Sequence, residues 1–163
     1  MSIGKAFVAV AVFIAVLGII IVWNNYNVNV YPLKQGVAWI DRAKVGGSAN
    51  EMIEYGQKAQ EIFKYERGNP AWWYATDTTN WDLIKKDLAS NIKNLEKISE
   101  LSSSDEAYQQ GMDVAKDKFS RLKEQADSAA DWTFNSGLNV VITAVFSLVF
   151  MAMLIVGVTT WDD

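Results

Sequence analysis

The sequence predicts an all-α membrane protein, with two transmembrane helices bracketing an antiparallel extracytoplasmic helical bundle and the last bundle helix continuous with the second span. Three observations predict it. Long apolar blocks without charge lie near both ends of the 163-residue chain. Between them, apolar residues recur at steps of three and four, the period of a helix with one face buried. No proline follows Pro70, so the final helical pattern meets no breaker of that kind before the C-terminus.

The first block, Ala6 to Trp23, has 18 residues without a charge or an amide, and covers about 27 Å at roughly 1.5 Å per residue, close to a bilayer core. A cleaved signal peptide fits less well, because its apolar region is typically about 7–15 residues. Val22-Trp23-Asn24-Asn25 also lacks the small residues of a cleavage site. The second block, Leu138 to Val158, is interrupted only by Asn139, Thr143 and Ser147, and its rise is about 31 Å. Trp23, Tyr26, Trp132, Phe134 and Trp161 flank the blocks where amphipathic rings sit at headgroup level. Two spans put both termini on one side. Lys5 in the first tail makes residues 1–5 and 159–163 cytoplasmic and 24–137 extracytoplasmic, in a two-pass cell-membrane protein. Neither span has an ionisable residue, so neither alone forms a proton path, voltage sensor or pore.

Between the spans, Asn24 to Pro32 reads as an extended connector and helix start. A helix over 33–44 takes its apolar side from Val37, Ile40 and Trp39 and ends at Gly46-Gly47. Ser48-x-x-Glu51 has capping-box spacing and opens a helix over 49–67, with Met52, Tyr55, Ala59, Ile62 and Glu66 at steps of 3, 4, 3 and 4. Gly68-Asn69-Pro70 stops it. Thr79-x-x-Asp82 caps a helix over 80–101, carried by Trp81, Ile84, Leu88, Ile92, Leu95 and Ile98. The last helix, 105–135, has Ser103-x-x-Glu106 before it and a heptad pattern of Tyr108, Met112, Ala115, Phe119, Leu122, Ala126, Ala129 and Thr133. The same count continues through Ser136, Val140, Thr143 and Ser147, which predicts one helix entering the membrane with its bend at Gly137.

Composition narrows the chemistry. The chain has no His and no Cys, which removes the usual general base, the Ser-His and Cys-His pairs, disulfides, and the commonest ligands of zinc, copper, haem and iron-sulfur centres. No metal or cofactor is expected, and no catalytic residue is assigned. Fifteen Lys plus Arg against 19 Asp plus Glu give a net charge of −4 with no basic run, which argues against nucleic-acid binding. The carboxylate pairs read as solvated helix faces.

Eight residues form candidate partner interfaces. Trp72, Trp73 and Tyr74 lie on a connection between helices; adjacent rings there close the bundle end, meet a partner, or lie against the bilayer. Ala11, Ala15 and Gly18 in the first span, and Thr143 with Ser147 in the second, have the spacing that brings membrane helices together, whether with each other or with another protein's helices. The layout is similar to that of small helical subunits surrounding membrane-bound oxidoreductases, including those beside archaeal copper monooxygenases. That similarity is of architecture, without a motif, and transfers no residue role. It implies a non-catalytic accessory or structural subunit of a larger membrane complex, with the bilayer and other integral membrane subunits as partners and a homo-oligomer left open. The alternative is a membrane-anchored sensor or ligand-binding bundle, a layout similar to the front half of bacterial four-helix chemoreceptors.

Overall fold

The computed structural model describes residues 3–161, with the side chains of 137 and 138 excepted. The expectations for the outermost tail residues, 1–2 and 162–163, lie outside the described residues. The described chain is all helical: α1 Ile3–Asn25, a π-helical segment Tyr26–Val30, α2 Tyr31–Lys44, α3 Ala49–Phe63, a 3-10 turn Asp77–Thr79, α4 Trp81–Ser99, α5 Glu106–Phe134 and α6 Gly137–Thr159. It divides into two compact units, residues 29–134 and the two terminal stretches that flank them.

In residues 29–134, α2 packs on α3 and α5, and α4 packs on α3 and α5, closing a four-membered ring of helices. Neighbours run antiparallel. The beginning of α2 meets the end of α5 through Lys34, whose Nζ lies 2.8 Å from Asp127 and 2.6 Å from Asp131, while Asp41, about two turns further along α2, pairs with Lys123. Phe63 at the end of α3 packs on Trp81 at the start of α4, ring centroids 5.0 Å apart. Asn91 of α4 donates to the Ala115 carbonyl of α5 at 3.1 Å. Burial of Lys34 disfavours its charge, but hydrogen bonds to Asp127 and Asp131 outweigh this and hold its pKa above the ordinary lysine value.

The core follows the periodic residues. Tyr108, Met112, Ala115, Phe119, Leu122, Ala126 and Ala129 are all buried along α5, and Trp81, Ile84, Leu88, Ile92 and Leu95 along α4. On α3 the buried line is Ala49, Met52, Gly56, Ala59 and Phe63, so the stripe is centred one residue past Tyr55 and Ile62. Gly56 was invisible to a count of large apolar side chains. Ser48 caps α3 as its spacing predicts, accepting from the Glu51 amide at 3.3 Å. The Glu51 carboxylate, however, takes the Gly47 amide rather than that of Ser48.

Several boundaries differ from expectation. Residues 24–32 are helical, not extended. Pro32 occupies the first turn of α2, where its missing N–H and fixed φ are tolerated, and the preceding turn widens into the π segment. There the Asn27 side chain donates to the Trp23 carbonyl at 2.8 Å, so asparagine serves the helix end instead of breaking it. Helix α3 stops at Phe63 rather than 67, and Gly68 takes a left-handed φ of 63°. The cap of α4 is Asn80, accepting from the Asp82 amide at 3.0 Å, not Thr79, which is buried. The stretch Glu106–Thr159 is helical as expected but interrupted at two residues, where Asn135 forms a turn and Ser136 takes φ −55° and ψ 149° before α6 resumes. Ser and Asn compete with the helix for backbone hydrogen bonds, and that local preference overrides the continuing heptad count, one residue before the predicted bend at Gly137.

In the other unit, α1 and α6 pack together, and the helical stretches that contain them, Ile3–Lys44 and Glu106–Thr159, are each long and apolar enough to cross a membrane. Their apolar side chains point outward: Ile19 is 69% exposed and Leu148 71%. Such exposure is costly in water and favourable in lipid.

Candidate functional site

Two surfaces contain the residues singled out by sequence. The first is the α1–α6 contact. Its tightest approach involves Gly4 and Gly157, neither of which stood out by small-residue spacing. A Cβ on Gly4 would fall 2.5 Å from the Thr160 carbonyl oxygen and 2.6 Å from the Trp161 Cα, and one on Gly157 would fall 2.8 Å from a Val8 methyl. Only glycine allows this backbone separation. Ala11 is fully buried, Ala15 is half-buried, and Gly18 faces the Phe146 ring. The first-span residues thus lie toward α6 along with Gly4. Thr143 and Ser147 do not pair the two helices. Both are exposed, and the Ser147 hydroxyl donates to the Thr143 carbonyl of its own helix at 2.8 Å, a back-bond that satisfies the group where no water is present.

The second surface is the connection from Lys64 to Asn80, built on its short polar side chains. Asn69 holds it together: its Oδ1 accepts from the Ala71 amide at 3.0 Å and the Thr79 hydroxyl at 2.8 Å, and its Nδ2 donates to the Thr76 carbonyl at 2.6 Å. The loop is fastened to α4 at its base. The Trp81 amide donates to the Gly68 carbonyl, and the Asp82 carboxylate accepts from the Gly68 amide, each at 2.9 Å. Lys85 donates to the Glu66 carbonyl. The Gly68 amide and Lys85 keep the Asp82 carboxyl below its ordinary pKa, while burial pushes Glu66 above its own, partly offset by Lys85.

This pinned loop presents its rings to the outside. Trp72 is 50% exposed, Trp73 77% and Tyr74 75%, and Tyr65, at the start of the same connection, is 78% exposed. Trp72 and Trp73 meet edge to face, centroids 5.5 Å apart. Ala71 is buried, so the loop backbone is seated while the three residues after it are displayed. Tyr65 could have been found from sequence only by placing the end of α3 at Phe63.

A third feature was not visible in the pattern. A groove of about 350 Å³ between α4 and α5 is lined by Asn91, Asn94, Gln110, Gly111, Val114 and Lys118 among others. Asn91 is buried, and its Oδ1 has no hydrogen-bond partner, an uncommon state for an interior amide. Among the described residues, no three carboxylates converge where a metal ion could be held. Comparison with protein-family models, with curated proteins and with solved structures found no match.

Proposed function

We propose that the chain is a non-catalytic accessory subunit of a larger integral membrane complex, of the class of membrane-bound oxidoreductases or monooxygenases. Its two apolar helices cross the cell membrane, both termini are cytoplasmic, and residues 24–137 brace the extracytoplasmic face of the complex. One observation carries the reading: Thr143 and Ser147 lie outside the α1–α6 contact, so the second span turns a small, hydroxyl-bearing strip outward. Small and hydroxyl side chains let a further membrane helix approach closely and hydrogen-bond across the contact. Extraction of the native membrane in mild detergent, a native gel and mass spectrometry of the band test it. A fixed set of larger membrane subunits is the expected result, with the Thr143→Leu and Ser147→Leu variants reducing co-migration. Migration as a monomer or homodimer overturns it.

The groove beside Asn91 favours a second reading, a sensing bundle that takes a small polar ligand. A ligand-induced rise in melting temperature of the full chain, lost in Asn91→Leu, distinguishes it from the first.

A further inference from the structure

We propose that the aromatic loop is a membrane-interface anchor, with Tyr65, Trp73 and Tyr74 seated in the headgroup layer of the lipid bilayer. The proposal rests on the two-span reading. Three observations carry it, beginning with where the loop lies within residues 29–134. Helix α3 ends at Phe63, α4 starts at Trp81 against it, and the start of α2 is tied to the last turns of α5 through Lys34, Asp127 and Asp131. The 3-10 turn that closes the loop packs on α5, and Phe63 lies against α2 at Gly36. The loop therefore emerges at the end of the bundle where the chain enters at Asn29 and leaves at Phe134. Connectivity supplies the second observation: only 26–30 separate α2 from the apolar helix α1, and only 135–136 separate α5 from α6. On the two-span reading, both short links join that end of the bundle to the helices that cross the bilayer.

The third observation is chemical. Trp and Tyr have an apolar body and a polar edge, and they concentrate at the membrane–water boundary for that reason. Here they project from a backbone fixed by Asn69, Gly68 and Asp82, so little additional ordering is required on insertion. Ring pairs without such a tether would be a general protein-docking patch. The tether selects lipid.

Because the chain has no cysteine, single nitroxide labels can be placed at will in the full-length protein. The variants are Trp73→Cys, Tyr74→Cys, Leu101→Cys in the turn at the opposite end of the bundle, and Leu148→Cys on the outward face of α6. Each is reconstituted in nanodiscs of phosphatidylcholine and phosphatidylglycerol, and label collisions with oxygen and with a water-soluble nickel chelate are compared. The expected result is an oxygen-to-nickel ratio at 73 and 74 several-fold above that at 101 and below that at 148. Ratios at 73 and 74 equal to that at 101, with 148 lipid-buried, overturn the proposal and leave the spans intact. Shielding of 73 and 74 from both reagents overturns it in favour of a protein contact. Water access at 148 removes the two-span reading and the proposal with it.

Discussion

A methyl group added at Gly4 meets backbone on three sides: the Thr160 and Gly157 oxygens and the Trp161 Cα. Backbone cannot rotate away, so Gly4→Ala must separate α1 from α6, at a cost of about 1–3 kcal/mol by the measure of overpacked interfaces. Gly18→Ala is the control, since its added carbon lies 3.8 Å from the Phe146 ring, an ordinary contact. The expected outcome, read from energy transfer between dyes on the two helices in detergent, is separation in the first variant and none in the second. At Asp82 the question is pH. Its folded pKa is lowered by the Gly68 amide and Lys85, so its contribution is complete above the ordinary aspartate value, about 3.9, and lost as pH falls through the lower folded one. Protection of the Gly68 amide from hydrogen exchange should fall over that window, and Asp82→Ala should abolish the protection at every pH. Glu66 has the opposite sign. Its raised pKa, from burial, favours the fold below the ordinary glutamate range, and that contribution is lost as pH rises through the folded value.

Helix α5 shows which parts of an element are legible in sequence. Seven heptad positions from Tyr108 to Ala129 are buried as the 3–4 count requires, because burial selects apolar side chains, alanine included, and those are what the count records. Phe119 sits on this line, fully buried and next to Gly56 of α3. Phe119→Ala should destabilise the bundle by about 3–5 kcal/mol, seen as a lowered midpoint in urea followed by helical circular dichroism; a change below 1 kcal/mol on the same scale would mean that the ring is not a core residue. The end of the same helix was not legible. Beyond Ala129 the count continues through Ser136, Thr143 and Ser147, yet the chain breaks at 135–136, and Thr143 and Ser147 face outward. Small hydroxyl residues satisfy either a helix face or a cap, and periodicity cannot choose between them. The π segment before Pro32 was missed for a related reason. Asn and Pro signal a break, but here one bonds the preceding turn and the other begins the next. The aromatic loop was legible because adjacent rings cannot share one core, whereas the Gly4–Gly157 approach leaves no apolar signal at all.

At the scale of the whole molecule, the division of the chain follows the two places where helical geometry changes, the π segment and the Asn135-Ser136 break. Each unit has its own source of cohesion. In one, glycines allow backbone contact between two apolar helices. In the other, a continuous apolar cluster draws residues from α2, α3, α4 and α5, from Leu33 to Ala130, and the ion pairs of Lys34 and Lys123 lie on its surface. Among the described residues, none of α1 or α6 belongs to that cluster, so removal of the spans deletes none of the members named. A fragment comprising residues 29–134 should therefore fold alone, despite lacking disulfides, because about 100 residues can bury enough apolar surface for a marginal but cooperative core. Its thermal unfolding should give coincident transitions by far-ultraviolet circular dichroism and tryptophan fluorescence. A helical signal that fades without a transition would show instead that the bundle depends on the membrane helices for its stability. The same fragment retains Trp72, Trp73 and Tyr74 on their pinned loop, so cooperative folding would make the exposed rings a property of the bundle itself and not of its attachment.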